Sequence, residues 1–233
     1  MKMKTIYESG TYLSHNPTWH EEDSPWKAQQ IDRMLQRNKI APATVCEIGC
    51  GAGAILESLA TDYDYKAHFS GYEISPQAFE ICKLKERENL SLFLKDLLAE
   101  EGAHFDVLMA IDVFEHIEDF YSFLRKLRMK ATYKIFHIPL DLSVQTVLRA
   151  SPLQRVRDEV GHIHFFTKET ALAALRDADY EVLDCFYTSS SLELPNQSWK
   201  SEILRWPRRI LFSINQDFAV RLMGGYSLLV LAK

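Results

Sequence analysis

The sequence lacks an excess of basic charge: of its 233 residues, 27 are Lys or Arg and 32 are Asp or Glu, so the formal net charge is −5. Proteins that coat nucleic acid use a broad basic face, and this balance therefore predicts no nucleic-acid partner. The sequence also lacks an apolar run of membrane-spanning length, and the residues after Met1 lack the apolar core of a signal peptide. We therefore expect a soluble, cytoplasmic protein with no integral membrane segment.

Cysteine is scarce as well, and the four thiols are Cys46, Cys50, Cys82 and Cys185. Cys46 and Cys50 are close in sequence, but no second pair stands at the spacing of a zinc site. All four are predicted to be reduced, as in a reducing compartment. The length suits one domain with a sizeable core and an insertion.

A glycine-rich turn at residues 45–54 is the most informative stretch of the chain. A short apolar strand ends there, and a helix continues through Leu59. Glycines at alternate positions let the backbone turn tightly and approach a ligand closely. The turn also fits the loose dinucleotide fingerprint. Glu47, just before the first glycine, would repel a pyrophosphate and attract an ammonium group. S-adenosylmethionine carries an ammonium and a sulfonium but no phosphate, so this turn favours it; the alternative is a turn without a ligand.

Strands and helices alternate along the remainder of the chain. Strands are predicted at about 66–74, 91–94, 105–111, 133–138, 180–188 and 226–232, and helices at about 24–38, 76–84, 118–129 and 167–179. This pattern predicts an α/β fold with a doubly wound, mostly parallel sheet. The final two strands are joined by a long helical insertion, so they could instead pair as an antiparallel hairpin at the sheet edge. We divide the chain into an N-terminal cap segment and helix at 1–40 and a domain at 41–233, with the insertion at about 189–224.

Carboxylates follow several of these strands, where open α/β sheets bind their ligands. Glu73 lies about 20 residues beyond the glycine turn, at the distance where nucleotide sites place an acceptor for ribose hydroxyls. Asp96 could accept from the exocyclic amine of adenine, with Leu97 against the ring, although Asp also caps helices. Asp112 follows the most apolar strand, and Glu115 and His116 come directly after it.

Two aromatic segments allow more than one interpretation. Tyr12, Trp19, His20 and Trp26 could pack against the domain or form a lid over the ligand. Residues 199–209 are basic and aromatic, as in a helix that lies on a membrane surface. We favour an ordinary insertion packed on the sheet edge, with its arginines in solvent.

Several motifs together resemble the class I S-adenosylmethionine-dependent methyltransferases. They are EIGCGAG (47–53), GYEI (71–74), Asp96-Leu97, DVFEH (112–116) and HIHFFT (162–167). The resemblance extends over about residues 43–185 and is closest to the small-molecule group that includes the ubiquinone-pathway O-methyltransferases. It implies a Rossmann-like, seven-stranded sheet whose last strand is antiparallel and inserted beside the sixth.

The resemblance also implies a role for each motif. Glu47 and Gly49 would hold the methionine part of the cofactor, with Gly51 and Gly53 giving room for it. Glu73 would take the ribose hydroxyls, and Asp96 and Leu97 the adenine. Cys50 and Ile74 would also contact the cofactor. Asp112 and Val113 would line the floor below the sulfonium. Some relatives bind a divalent metal through residues spaced like Asp112, Glu115 and His116, but these residues can also cap a helix and orient the loop, and we expect no metal.

The predicted function is methyl transfer from S-adenosylmethionine to an O or N atom of a small metabolite or sugar-containing intermediate. A hydroxyl acceptor needs a base, for which we select His116 because imidazole titrates near neutral pH; an amine acceptor needs none. The rival bases are His20, His137, His162 and His164. A nicotinamide-dependent oxidoreductase and a non-catalytic binding module are the alternative functions, and the oligomeric state stays open.

Overall fold

The computed structural model describes residues 19, 21–63, 65–194 and 199–233. The interpretations of Tyr12 and His20 lie outside the described residues, and the separation of a cap segment at 1–40 stays a prediction. Within the described ranges, every helix is too short or too polar to cross a bilayer.

A seven-stranded sheet with the order β3-β2-β1-β4-β5-β7-β6 forms the centre of the molecule. The strands are β1 (Thr44–Ile48), β2 (His68–Glu73), β3 (Leu90–Leu94), β4 (Phe105–Ile111), β5 (Ala131–Pro139), β6 (Val182–Thr188) and β7 (Ser227–Ala232). β7 runs antiparallel to both of its neighbours, and the pairs among the first five strands are parallel. The α/β class and the antiparallel last strand are thus confirmed. β6 and β7 do pair antiparallel, but β7 lies inside the sheet, between β5 and β6, because it also pairs with β5.

Helices cover both faces of this sheet. They are α1 (Ser24–Arg37), α2 (Ala54–Asp62), α3 (Pro76–Cys82), α4 (Phe120–Arg128), α5 (Val144–Arg149), α6 (Ser151–Glu159), α7 (Lys168–Asp177), α8 (Ser190–Glu193), α9 (Trp199–Ile214) and α10 (Gln216–Met223). β4 shows the two faces most simply, since Leu108 and Ala110 belong to one buried cluster and Val107 and Met109 to the other. An apolar run in a strand is therefore what a sheet covered on both sides requires.

The first helix brings residues from outside the central motifs to the site. Its apolar stripe, which includes Ile31, Met34 and Leu35, packs with α2 on one face of the sheet. Pro25 occupies the first turn, as predicted, but Ser24 is already helical and Asp23 precedes it at the cap position. A proline is tolerated there because the first amides of a helix have no partner within it.

The insertion between β6 and β7 consists of α8, α9 and α10. α9 packs inward through Phe212, whose ring stacks on Tyr226 at 5.1 Å. The prediction that its arginines lie in solvent holds in part: Arg209 is exposed and Arg205 and Arg208 are half-buried, and each of the three also donates to a backbone carbonyl of Leu192, Leu194 or Met223. Unpaired carbonyls at helix and loop ends need such donors.

Candidate active site

A cavity of about 380 Å³ opens at the carboxyl ends of β1 and β4. Nine of the twelve site residues selected from the sequence line it: Glu47, Gly49, Cys50, Gly51, Glu73, Ile74, Asp112, Val113 and His116. Gly53, Asp96 and Leu97 do not. Its position is the one at which parallel α/β sheets bind ligands, and its size suits a small organic molecule.

The glycine turn forms one wall of the cavity. The amides of Gly49 and Cys50 both donate to the carbonyl of Tyr72, at 2.8 and 3.2 Å. Gly51 has φ +54°, and a Cβ there would meet only Trp19, at 3.9 Å, so its α-carbon faces open space. A Cβ on Gly53 would instead lie 3.0 Å from Cβ of Cys82. Gly51 therefore leaves room in the cavity, whereas Gly53 lets the start of α2 pack against the end of α3.

The carboxylate of Glu47 lies at the inner end of this wall. It is buried, and its Oε2 has no hydrogen-bond partner among the described residues. Burial raises the pKa of Glu47 well above its usual value, and the charge of Lys27 opposes part of that rise. A buried carboxylate oxygen without a donor is costly, so this atom is suited to a ligand that brings a cation or a proton.

Glu73 lies at the end of β2, on the other side of the glycine turn. Its Oε2 accepts from the amide of Gly51 at 2.9 Å, and its Oε1 accepts from the amides of Ile74 and Ser75 at 2.8 and 2.7 Å. Burial raises the pKa of Glu73, and these three backbone bonds reduce the rise. The carboxylate is thus held in one orientation at the cavity wall, and its predicted contact with ribose stays a prediction.

Asp96 and Leu97 both make contacts that stabilise the fold. The Asp96 carboxylate accepts from the amide of Leu98 at 2.9 Å and so caps the short 3₁₀ helix Leu97–Ala99. The side chain of Leu97 is fully buried in the core. The side chain of Leu97 thus contributes to the core, and adenine contacts at these two residues stay a prediction.

Asp112 is the centre of a polar network at the end of β4. Its Oδ1 lies 2.6 Å from Nδ1 of His137, and its Oδ2 lies 3.0 Å from Nζ of Lys27. Nε2 of His137 in turn lies 2.9 Å from Oγ1 of Thr188. Burial would raise the pKa of Asp112, but His137 and Lys27 outweigh it and hold that pKa below its usual range. Asp112 also has φ +54°, a backbone strain that often marks functional positions.

The ammonium of Lys27 also contacts Asp23, at 3.2 Å. Burial would lower the pKa of Lys27, but the charges of Asp112 and Asp23 raise it above its usual value, so the lysine is charged. Sequence reasoning missed this residue, since no local pattern distinguishes it from other lysines of an amphipathic helix.

Three buried side chains form a second cluster, and two of them, His116 and His162, line the cavity. Ligand atoms of Glu115, His116 and His162 lie within 4.8 Å of one another. Asp112 is not among them and is bonded instead to Lys27 and His137, so the described residues do not bring together the metal set suggested by the resemblance. Neither oxygen of Glu115 has a hydrogen-bond partner in the described part of the chain. One carboxylate and two imidazoles could hold a divalent cation such as zinc; the expectation of no metal stays a prediction.

The histidines of the cavity differ in what orients them. Nδ1 of His116 lies 3.1 Å from the carbonyl of Gly161, and burial, followed by the nearby His162, lowers the pKa of His116 to about 4. His162 has a carboxylate behind it, with Nδ1 2.7 Å from Oδ2 of Asp141. Of the other rivals, His137 lines the cavity, and His164 is bonded to the carbonyl of Ile117 and does not line it.

Trp19 and Trp26 both line the cavity. Trp26 is fixed by donation from its indole nitrogen to Glu193 at 2.7 Å, and its ring lies edge-on to His137 at 6.4 Å. Two of the four aromatic residues selected for a lid are therefore placed at the ligand cavity. Whether they close over a ligand stays a prediction.

Comparison with known proteins gives a consistent result. The profile of a family described as "Methyltransferase domain" matches residues 19–184. A ubiquinone biosynthesis O-methyltransferase of Xylella fastidiosa (strain M23) is 26% identical over 124 residues, which cover 48% of this chain and 49% of that protein. The chain thus spans about half the length of that relative. The protein of the same name from Xanthomonas oryzae pv. oryzae (strain PXO99A) is 26% identical over 187 residues, 71% of this chain and 77% of that one.

Among solved structures, the N-methyltransferase NodS from Bradyrhizobium japonicum WM9, in complex with S-adenosyl-L-homocysteine, superimposes with a TM-score of 0.57. It is 18% identical, and the match covers 95% of this chain and 97% of that one. At this identity the likeness shows a shared fold.

Proposed function

The chain belongs to the methyltransferase-domain family, and from that membership we propose that it transfers a methyl group from S-adenosylmethionine to a small-molecule acceptor. The acceptor is a small metabolite or a sugar-containing intermediate, and the acceptor atom is O or N, with oxygen favoured. The relatives that support oxygen are named as O-methyltransferases. The histidines that line the cavity, His116, His137 and His162, also support it, since a hydroxyl must lose its proton.

The observation that carries this proposal is the unpaired, buried oxygen of Glu47 in the cavity wall. The ammonium group of the cofactor's methionine part would satisfy that oxygen and neutralise the buried charge. Glu73 lines the same cavity, and its carboxylate, together with that of Glu47 when ionised, would repel the diphosphate of a nicotinamide cofactor. The residues therefore fit S-adenosylmethionine better than NAD.

Lys27 completes the fit at the amino-acid end of the cofactor. That end is a zwitterion and needs an anion for its ammonium and a cation for its carboxylate. Lys27 and Glu47 both line the cavity and are near enough for their charges to interact. Lys27 would attract the carboxylate, while Asp23 and Asp112 hold its ammonium in place.

The reaction itself requires alignment and exclusion of water. When bound, the cofactor supplies an electrophilic methyl carbon on a sulfonium, and the carbon passes to the acceptor as the carbon–sulfur bond breaks. The rings of Trp19 and Trp26 would exclude water from the site, which favours a transition state with dispersed charge. Asp112 and Val113 would form the floor on which the two reactants meet.

We assign the base to His116. Its lowered pKa keeps it neutral at pH 7, so the ring is free to take up a proton, although it is a weaker base than an ordinary imidazole. The carbonyl of Gly161 beside Nδ1 assigns the ring hydrogen to that nitrogen and leaves Nε2 as the accepting atom. His162, oriented by Asp141, is the competing base, and comparing His116→Asn with His162→Asn decides between them. The variant that lacks the base should lose about 10²-fold or more in kcat at an unchanged cofactor Kd.

Isothermal titration with S-adenosylmethionine, S-adenosylhomocysteine and NAD tests the cofactor. We expect the first two to bind and NAD not to bind. Glu47→Ala and Gly51→Val should abolish binding with an unchanged circular dichroism spectrum. Glu88→Ala, at an exposed position, and Gly102→Val, where a Cβ meets no atom within 4 Å, are the controls. Binding of NAD alone, or wild-type affinity in the Glu47 and Gly51 variants, would refute the proposal.

A further inference from the structure

The exposed apolar side chains of this protein are gathered on three helices far along the chain. Of thirteen large apolar side chains that are exposed in the described part of the structure, eight lie on α5, α9 and α10. We call these eight the docking surface: Val144, Val147, Leu148, Trp206, Ile210, Ile214, Phe218 and Leu222. The five others are scattered over different elements, as single exposed apolar residues usually are.

The spacing of the docking surface is helical. Trp206, Ile210 and Ile214 are spaced by four residues along α9, and Phe218 and Leu222 by four residues along α10, with the extended Asn215 between the two helices. Residues four apart share one helix face. Trp206 is 68% exposed and Ile214 is 76% exposed. α5 packs against α10, so the exposed apolar residues of α5 lie next to those of α10.

The opposite face of the insertion is already bonded to the domain. Phe212 packs between Tyr187 and Tyr226. Arg208 of α9 donates to the carbonyl of Met223 at the end of α10, at 3.3 Å, which fixes the two helices to each other. The exposed apolar residues of α9 therefore do not belong to the face that packs on the core, because that face carries Phe212.

The basic charge of residues 199–223 favours an anionic partner. Residues 199–223 contain five basic and two acidic residues, whereas the whole chain has a net charge of −5. A second copy of the chain would bring the same basic helices against each other. A phospholipid surface instead offers acyl chains to the exposed apolar residues and phosphates to the exposed Arg209 and Arg221, and Trp206 suits the boundary between the two.

We propose that α5, α9 and α10 dock this protein on the surface of an anionic phospholipid bilayer, with the docking surface lying among the headgroups and the upper acyl chains. The binding is peripheral and reversible. It goes beyond the proposed methyl transfer and does not depend on it, because none of the eight side chains lines the cavity.

Co-sedimentation with vesicles tests the proposal. The wild-type protein should bind vesicles of equal parts phosphatidylglycerol and phosphatidylcholine at least about tenfold more tightly than pure phosphatidylcholine, since each basic residue near an anionic surface adds affinity. The double variant Ile210→Glu/Phe218→Glu should bind the mixed vesicles at least about tenfold more weakly. Both substitutions lie at exposed positions, so the melting temperature and the cofactor Kd should be unchanged.

The matched control is Leu84→Glu/Met129→Glu, which places the same charges at two exposed apolar residues outside the docking surface. It should bind vesicles like the wild type. An equal loss of binding in the control, or no binding of the wild type to mixed vesicles, would overturn the proposal. So would a wild-type dimer, detected by light scattering, that the double variant converts to monomer, because the surface would then serve a second copy of the chain.

Discussion

Nζ of Lys27 lies 3.0 Å from Oδ2 of Asp112, and this ion pair joins the first helix to the carboxyl end of β4. The other oxygen of Asp112 is bonded to His137, so one carboxylate connects α1, β4 and β5. Both partners are less than one-third exposed, and the pair lies in the wall of the cavity. It therefore couples the position of α1 to the charge of the site.

Replacement of Lys27 by methionine should destabilise the protein and weaken cofactor binding. The substitution leaves the carboxylates of Asp112 and Asp23 without their cation, and removal of one partner of a buried pair costs about 3 kcal/mol. Urea denaturation followed by circular dichroism measures the loss. We also expect a cofactor Kd that is about tenfold higher, by calorimetry.

Lys83→Met is the control for this variant. Lys83 pairs with Glu80 within α3 and its neighbouring turn, at the surface, and exposed pairs of this kind contribute less than about 1 kcal/mol. Equal losses in the two variants would show that the Lys27 pair has no special role.

Binding of S-adenosylmethionine should be pH-dependent through Glu47. Because burial raises the pKa of Glu47, the free protein retains a proton there at pH values where a carboxyl group is normally ionised. The cofactor's ammonium favours the ionised form, so binding releases the proton and affinity should rise with pH, by up to about tenfold per pH unit over the range above the ordinary carboxyl pKa in which the free protein keeps that proton. Calorimetry in buffers of different ionisation enthalpy counts the released proton.

Glu47→Gln should bind weakly and with no such dependence on pH. The side chain stays polar and of similar size, so the fold should persist. A pH-independent affinity in the wild type, or an unchanged slope in Glu47→Gln, would mean that another group titrates.

The sequence alone predicted the sheet and the glycine turn because both depend on local patterns. Apolar runs of five to seven residues give strands at any position in the sheet, and glycines 49, 51 and 53 all adopt positive φ. The carboxyl ends of parallel strands meet at one edge, so Glu47, Glu73 and Asp112 could be placed together before their distances were known.

What local patterns could not predict depends on contacts between distant segments. Lys27 and His137 reach Asp112 from two other elements. His162 joins the cluster at His116 because the loop after α6 returns to it. Leu97 contributes to the core because its side chain is buried, and a two-residue motif does not reveal burial. Which residues bond to Asp112 likewise depends on how distant segments of the chain pack together.

Gly71→Ala should destabilise the protein through crowding rather than backbone strain. A Cβ at Gly71 would lie 2.5 Å from Leu92, 2.8 Å from Sγ of Cys50 and 2.8 Å from Leu56, and overpacking of this kind costs about 1–3 kcal/mol. Since Cys50 belongs to the glycine turn, cofactor affinity should fall as well. Denaturant unfolding and calorimetry measure the two effects.

Gly102→Ala separates crowding from strain. It has φ +74° but meets no atom within 4 Å, so it should lose about 1 kcal/mol to strain and keep the cofactor affinity of the wild type. Loss of affinity in Gly102→Ala, or none in Gly71→Ala, would contradict this account.

The free energy of unfolding should decrease at acidic pH, partly because His116 becomes protonated. Its pKa is lowered from 6.5 to about 4 in the folded state, so the unfolded chain takes up a proton at a higher pH than the folded one. Stability contributed by neutral His116 is complete above about pH 6.5 and is lost as the pH falls toward about 4, by about 3 kcal/mol in total.

His116→Asn should therefore show a smaller loss of stability than the wild type over that range. The comparison uses the slope of unfolding free energy against pH, because the substitution also changes packing. His68→Asn, at an exposed position on β2, should keep the wild-type slope. Parallel slopes for His116→Asn and the wild type would show that His116 is not the group concerned.

Substitution of Glu115 tests whether the cluster of Glu115, His116 and His162 holds a proton or a metal cation. Burial, followed by the charge of Asp112, raises the pKa of Glu115 well above its usual value, which favours the neutral carboxyl when no cation is bound, and the comparison is made at pH 7. Glutamine has nearly the same shape as a neutral carboxyl group, and Glu115→Gln should unfold within about 1 kcal/mol of the wild type at that pH.

The pH dependence of Glu115→Gln has a definite sign. In the wild type the unfolded chain ionises Glu115 first, so this group's contribution to stability falls as the pH rises above about 4.3, and the variant should lack that fall. A cation held by Glu115, His116 and His162 would reverse the expectation, because a bound metal requires the ionised carboxylate. Elemental analysis of both proteins distinguishes the two: a stoichiometric divalent metal in the wild type that is absent from Glu115→Gln, together with a large loss of stability, would show that the cluster is a metal site and that the carboxyl is not neutral.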